Sequence, residues 1–182
     1  DDAGNLGPVA AADGEEISIE RGPAETYEVP AGTTATVTAS GAYGGVSVTL
    51  TTGATAATVT FSPPTVALDP GSTPFAIGGS TRLLGIVVAG APGPYTVCFP
   101  VGDPNRVWHR EAGVWVDMTW RAFDASGSHI AEMDPGAHPG ARCGMTMTLS
   151  PVAAAVPNAG PDTTPPSLGS RSEEHTSELQ SL

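Results

Sequence analysis

Hydrophobic and polar residues alternate along most of this chain. Runs of period two recur between residues 17 and 156, and Gly or Pro separates most runs from the next. Because successive side chains of a strand point to opposite faces, this alternation predicts half-buried β-strands. In the first part of the chain, the apolar positions of these strands are Ile17 and Ile19; Tyr27 and Val29; Ala35, Val37 and Ala39; Val46, Val48 and Leu50; and Ala57, Val59 and Phe61.

The strand pattern continues through the second part of the chain. Residues 83–89 form the longest apolar run, which predicts a central strand covered on both faces. Further strands are predicted at residues 75–77, 95–99, 106–110, 114–120, 143–149 and 152–156. About ten short strands, without an amphipathic helix of ten residues, indicate an all-β chain. The predicted fold is an antiparallel β-sandwich, immunoglobulin-like in general architecture.

Composition divides the chain into regions. Residues 1–14 are acidic and lack apolar periodicity, so we expect a connector from an upstream domain, with the sandwich at residues 15–156. Residues 157–170, PNAGPDTTPPSLGS, have the composition of a semi-rigid linker to a missing downstream domain. The phrase DTTPPSL is similar to the lead-in of many immunoglobulin-like modules in secreted bacterial proteins.

The last residues of the chain do not look like natural protein. Residues 171–181, RSEEHTSELQS, match the in-frame translation of a widely used short-read sequencing adapter. We therefore expect residues 171–182 to be an artefact, and His175 and its neighbouring acidic residues are assigned no chemistry.

The chain is acidic, with 19 Asp and Glu residues against 7 basic residues and a formal net charge of −12. We expect no nucleic-acid partner, because binding nucleic acid requires a clustered Lys and Arg face. No apolar run approaches the length of a membrane span. The acidic N-terminal region lacks the Asp-x-Asp-x-Asp-Gly loop, so a solvated linker is favoured over a calcium site. The candidate calcium ligands are Asp1, Asp2, Asn5, Asp13, Glu15 and Glu16.

The two cysteines, Cys98 and Cys143, both lie in predicted strands. An even number of cysteines in a composition typical of extracellular proteins favours a disulfide, and two buried thiols are the alternative. A disulfide implies an oxidising compartment. We therefore expect an extracellular or cell-surface location.

Residues 106–120, RVWHREAGVWVDMTW, predict a β-hairpin that turns at residues 111–113. A two-residue type I′ turn would force Ala112 to a positive φ, so we predict a type I turn and a bulge with only Gly113 at positive φ. That register pairs His109 with Trp115 and Trp108 with Val116. It places Trp108, Val114, Val116 and Met118 on the core face, and His109, Trp115 and Asp117 on the other face.

This hairpin resembles part of a module found near the C-terminal parts of large secreted or surface bacterial proteins. The family pattern reads T-V-C-I, L-F-H-Y-E-N-G-x-W-x-D-V-T, I-C-G and S-L-S-P-F-A. Ala112 replaces the turn Asn, Val152 replaces the Phe after Ser-Pro, and residues 120–142 are longer than the family's connection. The resemblance implies a non-catalytic structural or interaction module. The matching residues are Thr96, Val97, Cys98, Trp108, His109, Glu111, Gly113, Trp115, Asp117, Thr119, Cys143, Gly144, Leu149, Ser150, Pro151 and Ala153.

Individual residues suggest three other chemistries. His129, Asp134, His138 and Cys143 are zinc-ligating types, but their spacing matches no closed zinc pattern. His109, Asp117 and a Ser could form a hydrolase triad, but no nucleophile elbow is present. Among Trp108, Trp115 and Trp120, only Trp115 is predicted to be exposed as a glycan contact.

The predicted function is a non-catalytic structural or interaction module of a multidomain secreted or cell-surface bacterial protein. We expect no enzyme activity and no cofactor. The expected partners are neighbouring domains of the same chain and a surface glycan or protein ligand. The alternative is a carbohydrate-binding module attached to an enzyme.

Overall fold

The computed structural model describes residues 22–65, 73–78, 81–149 and 151–158. Within these ranges the chain forms ten short strands in two antiparallel sheets, which confirms the predicted all-β sandwich. The predicted strand at Ile17 and Ile19, the acidic connector, most of the Pro-rich linker and residues 171–182 lie outside the described residues. The strands are β1 Glu25–Val29, β2 Thr34–Thr38, β3 Ser47–Thr51, β4 Ala57–Ser62, β5 Arg82–Ala89, β6 Tyr95–Phe99, β7 Arg106–Glu111, β8 Val114–Asp117, β9 Arg142–Thr146 and β10 Val152–Ala155.

The strands are distributed unequally between the sheets. The larger sheet has the order β1-β4-β5-β10-β7-β8, and the smaller has the order β2-β3-β6-β9. The main core lies between the two sheets. Apolar side chains alternate with polar ones along the strands, and the apolar side chains of both sheets point inward and pack against each other. Its largest fully buried side chains include those of Tyr43, Phe61, Phe99, Leu84 and Met118.

A second apolar cluster covers the outer face of the larger sheet. The predicted strand at residues 75–77 is reduced here to a single bridge between Phe75 and Pro157. This segment continues the pairing beyond β10, since Ala76 N donates to Val156 O at 2.8 Å. The buried members of the cluster are Phe75, Ile77, Leu83, Trp108, Ala153 and Ala155.

The segment at residues 73–78, which covers part of the larger sheet, determines which strand is buried on both faces. The prediction for β5 is correct only for its first half, where Leu83 and Leu84 are fully buried, whereas Val87 is 57% exposed. The second cluster reaches Leu83 but does not include Val87. Strand β10 is instead buried on both faces over its whole length. On its outer face, Ala153 and Ala155 belong to the second cluster, and their side chains are small enough to lie beneath its aromatic rings.

The connection between β8 and β9 crosses from the larger sheet to the smaller one. It contains a short 3₁₀ turn, Pro135–Ala137, in which Asp134 Oδ1 accepts a hydrogen bond from Gly136 N. In the described parts of the chain, no helix has the length and hydrophobicity that a bilayer crossing requires.

Candidate functional site: the β7–β8 hairpin and the cysteine pair

The β7–β8 hairpin has a two-residue turn and no bulge. Glu111 pairs with Val114, and the intervening Ala112 and Gly113 have φ values of 48° and 86°. Positive φ at both positions defines a type I′ turn, whose twist matches that of the flanking strands. The predicted turn with a bulge is therefore wrong. Ala112 adopts a left-handed conformation, and the hydrogen-bonded ladder stays regular up to the turn.

The change of turn also changes the face on which each side chain lies. His109 pairs with Val116 and Trp108 pairs with Asp117, one residue away from the predicted register. Because side chains alternate with period two, a one-residue shift on one strand reverses its faces. Trp108 is therefore on the outer face rather than in the main core, and His109 is on the inner face. Val114, predicted to be in the core, is 64% exposed beside the turn.

His109 is fully buried between the sheets and belongs to a polar network. Its Nδ1 atom lies 3.2 Å from Glu111 Oε1 and 3.2 Å from Thr146 Oγ1. Arg121 Nη2 donates to the same oxygen of Glu111 at 2.5 Å. Burial lowers the pKa of His109, and its hydrogen bond to the Glu111 carboxylate opposes this only in part. Burial raises the pKa of Glu111, but the hydrogen bonds from Arg121 and His109 outweigh it and leave that pKa below its usual value.

Asp117 and Thr119 have structural roles at the end of the hairpin. Asp117 Oδ1 accepts a hydrogen bond from Thr119 N at 2.8 Å, and Thr119 Oγ1 accepts one from Val107 N at 2.8 Å. Asp117 is paired with Trp108, on the face opposite to His109. It therefore does not orient the imidazole as the acid of a catalytic triad does.

The three tryptophans do not share one surface. Trp108 and Trp115 both pack on Phe75, with ring centroids 5.3 Å and 5.2 Å away, and Trp108 Nε1 donates to Ala155 O at 3.3 Å. Trp115 is half-buried by this contact, so only part of its ring is open to a sugar. Trp120 lies against His138, at a centroid distance of 6.3 Å.

Cys98 and Cys143 form the predicted disulfide. The two residues are directly paired on the adjacent strands β6 and β9, with their Cα atoms 4.1 Å apart. In antibody domains the bridge instead joins the two sheets. The crosslink here ties neighbours within one sheet. The inward residues of β6 are Tyr95, Val97 and Phe99, so Cys98 faces outward.

The connection before β9 brings a histidine to this bridge. Two of the four candidate zinc ligands, His138 and Cys143, lie close together in space, and Cys98 lies next to both. Their ligand atoms lie within 4.8 Å of one another. Asp134 instead caps the 3₁₀ turn, and the ring of His129 packs on Phe123 at 6.0 Å. Sequence reasoning missed the pairing of Cys98 with His138 because the two residues are forty positions apart.

No protein-family model, curated protein or solved structure matches this chain. The resemblance of the hairpin to the secreted bacterial module therefore remains a prediction. The structure does supply physical reasons for several of the matching residues, since Gly113, Asp117, Thr119 and Cys143 each occupy a defined turn, cap or crosslink.

Proposed function

We propose that this chain is a non-catalytic structural or interaction module of a multidomain secreted or cell-surface bacterial protein. The observation that carries the proposal is the Cys98–Cys143 disulfide within a two-sheet sandwich. Disulfides persist in oxidising compartments and are rare in the cytosol. A crosslinked sandwich holds its ends at a fixed separation, which suits a spacer or display unit.

The positions of the polar hairpin residues support a role without catalysis. A general base must come within hydrogen-bond reach of a substrate proton. His109 is fully buried and its Nδ1 atom lies beside Glu111 and Thr146, while Asp117 caps a turn on the other face. The residue types of a triad are thus used to hold the hairpin together.

Thiol titration of the chain after export to an oxidising compartment tests whether Cys98 and Cys143 form the disulfide there, as the proposal requires. The protein is purified without reductant and denatured in the presence of a thiol reagent, and a sample reduced beforehand calibrates two thiols per chain. We expect no reactive thiol in the unreduced sample. Two reactive thiols in that sample would contradict the proposal.

The alternative is a carbohydrate-binding module, and Trp115 is the residue that favours it. Its ring is half-exposed on the edge strand β8 and is held in place by Phe75, as a stacking platform requires. A glycan array of wild type, Trp115→Ala and Val114→Ala separates the two functions. Specific binding lost only in Trp115→Ala identifies the carbohydrate module, whereas no binding by any of the three favours the structural module.

A further inference from the structure

Cys98, Cys143 and His138 converge on the outer face of the smaller sheet. His138 Nδ1 lies 4.0 Å from Cys98 Sγ, and the three ligand atoms are all within 4.8 Å of one another. Cys98 and His138 are half-buried, and Cys143 is fully buried. Thiolate sulfur and imidazole nitrogen are the ligand types that structural zinc sites use.

His138 is fixed in this position by both its backbone and its ring. Its N–H donates to Pro135 O at 3.1 Å, within the 3₁₀ turn. Its ring is stacked on Trp120 with an interplanar angle of 29°, and Trp120 N donates to Cys143 O at 2.6 Å. The tryptophan therefore connects the histidine to the strand that carries one of the sulfurs. The long connection at residues 120–142 thus delivers a third ligand beside the cysteine pair.

The geometry points to a zinc site that replaces the disulfide when the bridge is reduced. An external thiol reductant transfers two electrons and two protons, which leaves Cys98 and Cys143 as thiols and converts the reductant to its own disulfide. Zn²⁺ then displaces both thiol protons and binds the two thiolates and the neutral His138, with water as the fourth ligand. In the oxidised chain the sulfurs are bonded to each other, so the site exists only after reduction.

Little backbone movement is required to form this site. Zinc–sulfur bonds of about 2.3 Å and zinc–nitrogen bonds of about 2.0–2.1 Å place tetrahedral ligand atoms about 3.5–3.8 Å apart. The separation of 4.0 Å between His138 and Cys98 is already close to this range. After reduction, the two cysteine side chains separate by rotation about χ1, which has three staggered positions.

Zinc titration of the reduced full chain tests the site, with a chromophoric chelator as competitor and Co²⁺ as a spectroscopic probe. We expect one equivalent of zinc on the reduced wild type, a thiolate-to-cobalt charge-transfer band, and neither on the oxidised chain. His138→Ala removes a direct ligand and should lower the zinc affinity by more than about ten-fold, since even the loss of a residue that only supports a ligand costs about 10–100-fold. His129→Ala, which removes an exposed histidine from the same connection, should leave the affinity unchanged.

One further variant and one further measurement make every outcome decisive. A Cys98→Ser/Cys143→Ser variant measures zinc bound elsewhere on this acidic chain. Circular dichroism shows whether the reduced chain is folded; if it is not, zinc must restore the fold in wild type and His129→Ala but not in His138→Ala. Equal zinc affinity of His138→Ala and wild type overturns the proposal. So does a reduced chain that binds no more zinc than the serine variant or the oxidised chain.

Discussion

Gly144, in β9, lies against Met118 at the end of the hairpin. A Cβ atom at this position would stand 1.9 Å from Met118 O and 2.7 Å from the Met118 carbonyl carbon. Because these are backbone atoms, a larger residue requires the main chain to move. This contact gives a physical reason for a glycine directly after Cys143 in this chain.

We expect Gly144→Ala to lower the free energy of unfolding by about 1–3 kcal/mol, the range for overpacking a well-filled site. Chemical denaturation measures the change. Gly102→Ala is the matched control, because a Cβ at Gly102 has no atom within 4 Å. Its stability should change by less than about 0.5 kcal/mol, as for other surface substitutions. Equal losses in the two variants would show that the Met118 contact is not the cause.

His109 makes the stability of the fold depend on pH. Burial holds its pKa below the ordinary value of 6.5, so the folded chain resists a proton that the unfolded chain accepts. The free energy of unfolding should therefore be fully retained above about pH 6.5 and should fall as the pH decreases below that value. Replacement of His109 by Gln should flatten the profile over this range, because the group that resists protonation in the folded chain is removed. Denaturation curves at stepped pH measure the effect, and a slope unaltered in His109→Gln would exclude this histidine as the source.

At the scale of elements, the segment at residues 73–78 acts as a cover for the larger sheet. Phe75 is 1% exposed and contacts both Trp108 and Trp115. The cover converts the outer face of β10 from a solvated surface into a second core. It also limits the exposure of Trp115, the candidate glycan contact.

Phe75→Ala should lower the free energy of unfolding by about 3–5 kcal/mol, as is typical for a large side chain removed from a core. The same change should shift the tryptophan emission to longer wavelength, because two indole rings become more solvated. Phe123→Ala removes a half-buried ring from the connection before β9 and should cost less. If both variants lost the same stability and emission were unchanged, the covering role of Phe75 would be refuted.

At the scale of the whole molecule, the disulfide adds a crosslink to a fold that is already held by its core. The bridge closes a loop with a sequence separation of 45 residues. The loop-entropy model gives a stabilisation of about 4 kcal/mol for a loop of this size. We expect Cys98→Ala/Cys143→Ala to approach that loss while it retains the strand spectrum of the wild type. Denaturation of the variant and the oxidised wild type measures the difference, and equal midpoints would contradict the expectation.

The sequence by itself determined the fold class, the approximate position of most described strands and the identity of the crosslinked cysteines. These features depend on local periodicity, on turn residues between strands and on the presence of two cysteines. The sequence predicts a strand at Phe75 because an apolar residue in a short run has the same local pattern whether it pairs in a sheet or covers one.

Only the tertiary structure decided which face each hairpin residue occupies and what lies beside the disulfide. The choice of a type I′ turn over a bulge depends on the twist of the two paired strands that flank it, and a one-residue shift exchanges the environments of Trp108 and His109. The position of His138 depends on how Trp120 and a capped 3₁₀ turn direct a long connection across a distant strand. Such contacts join residues far apart in the chain, so no local pattern encodes them.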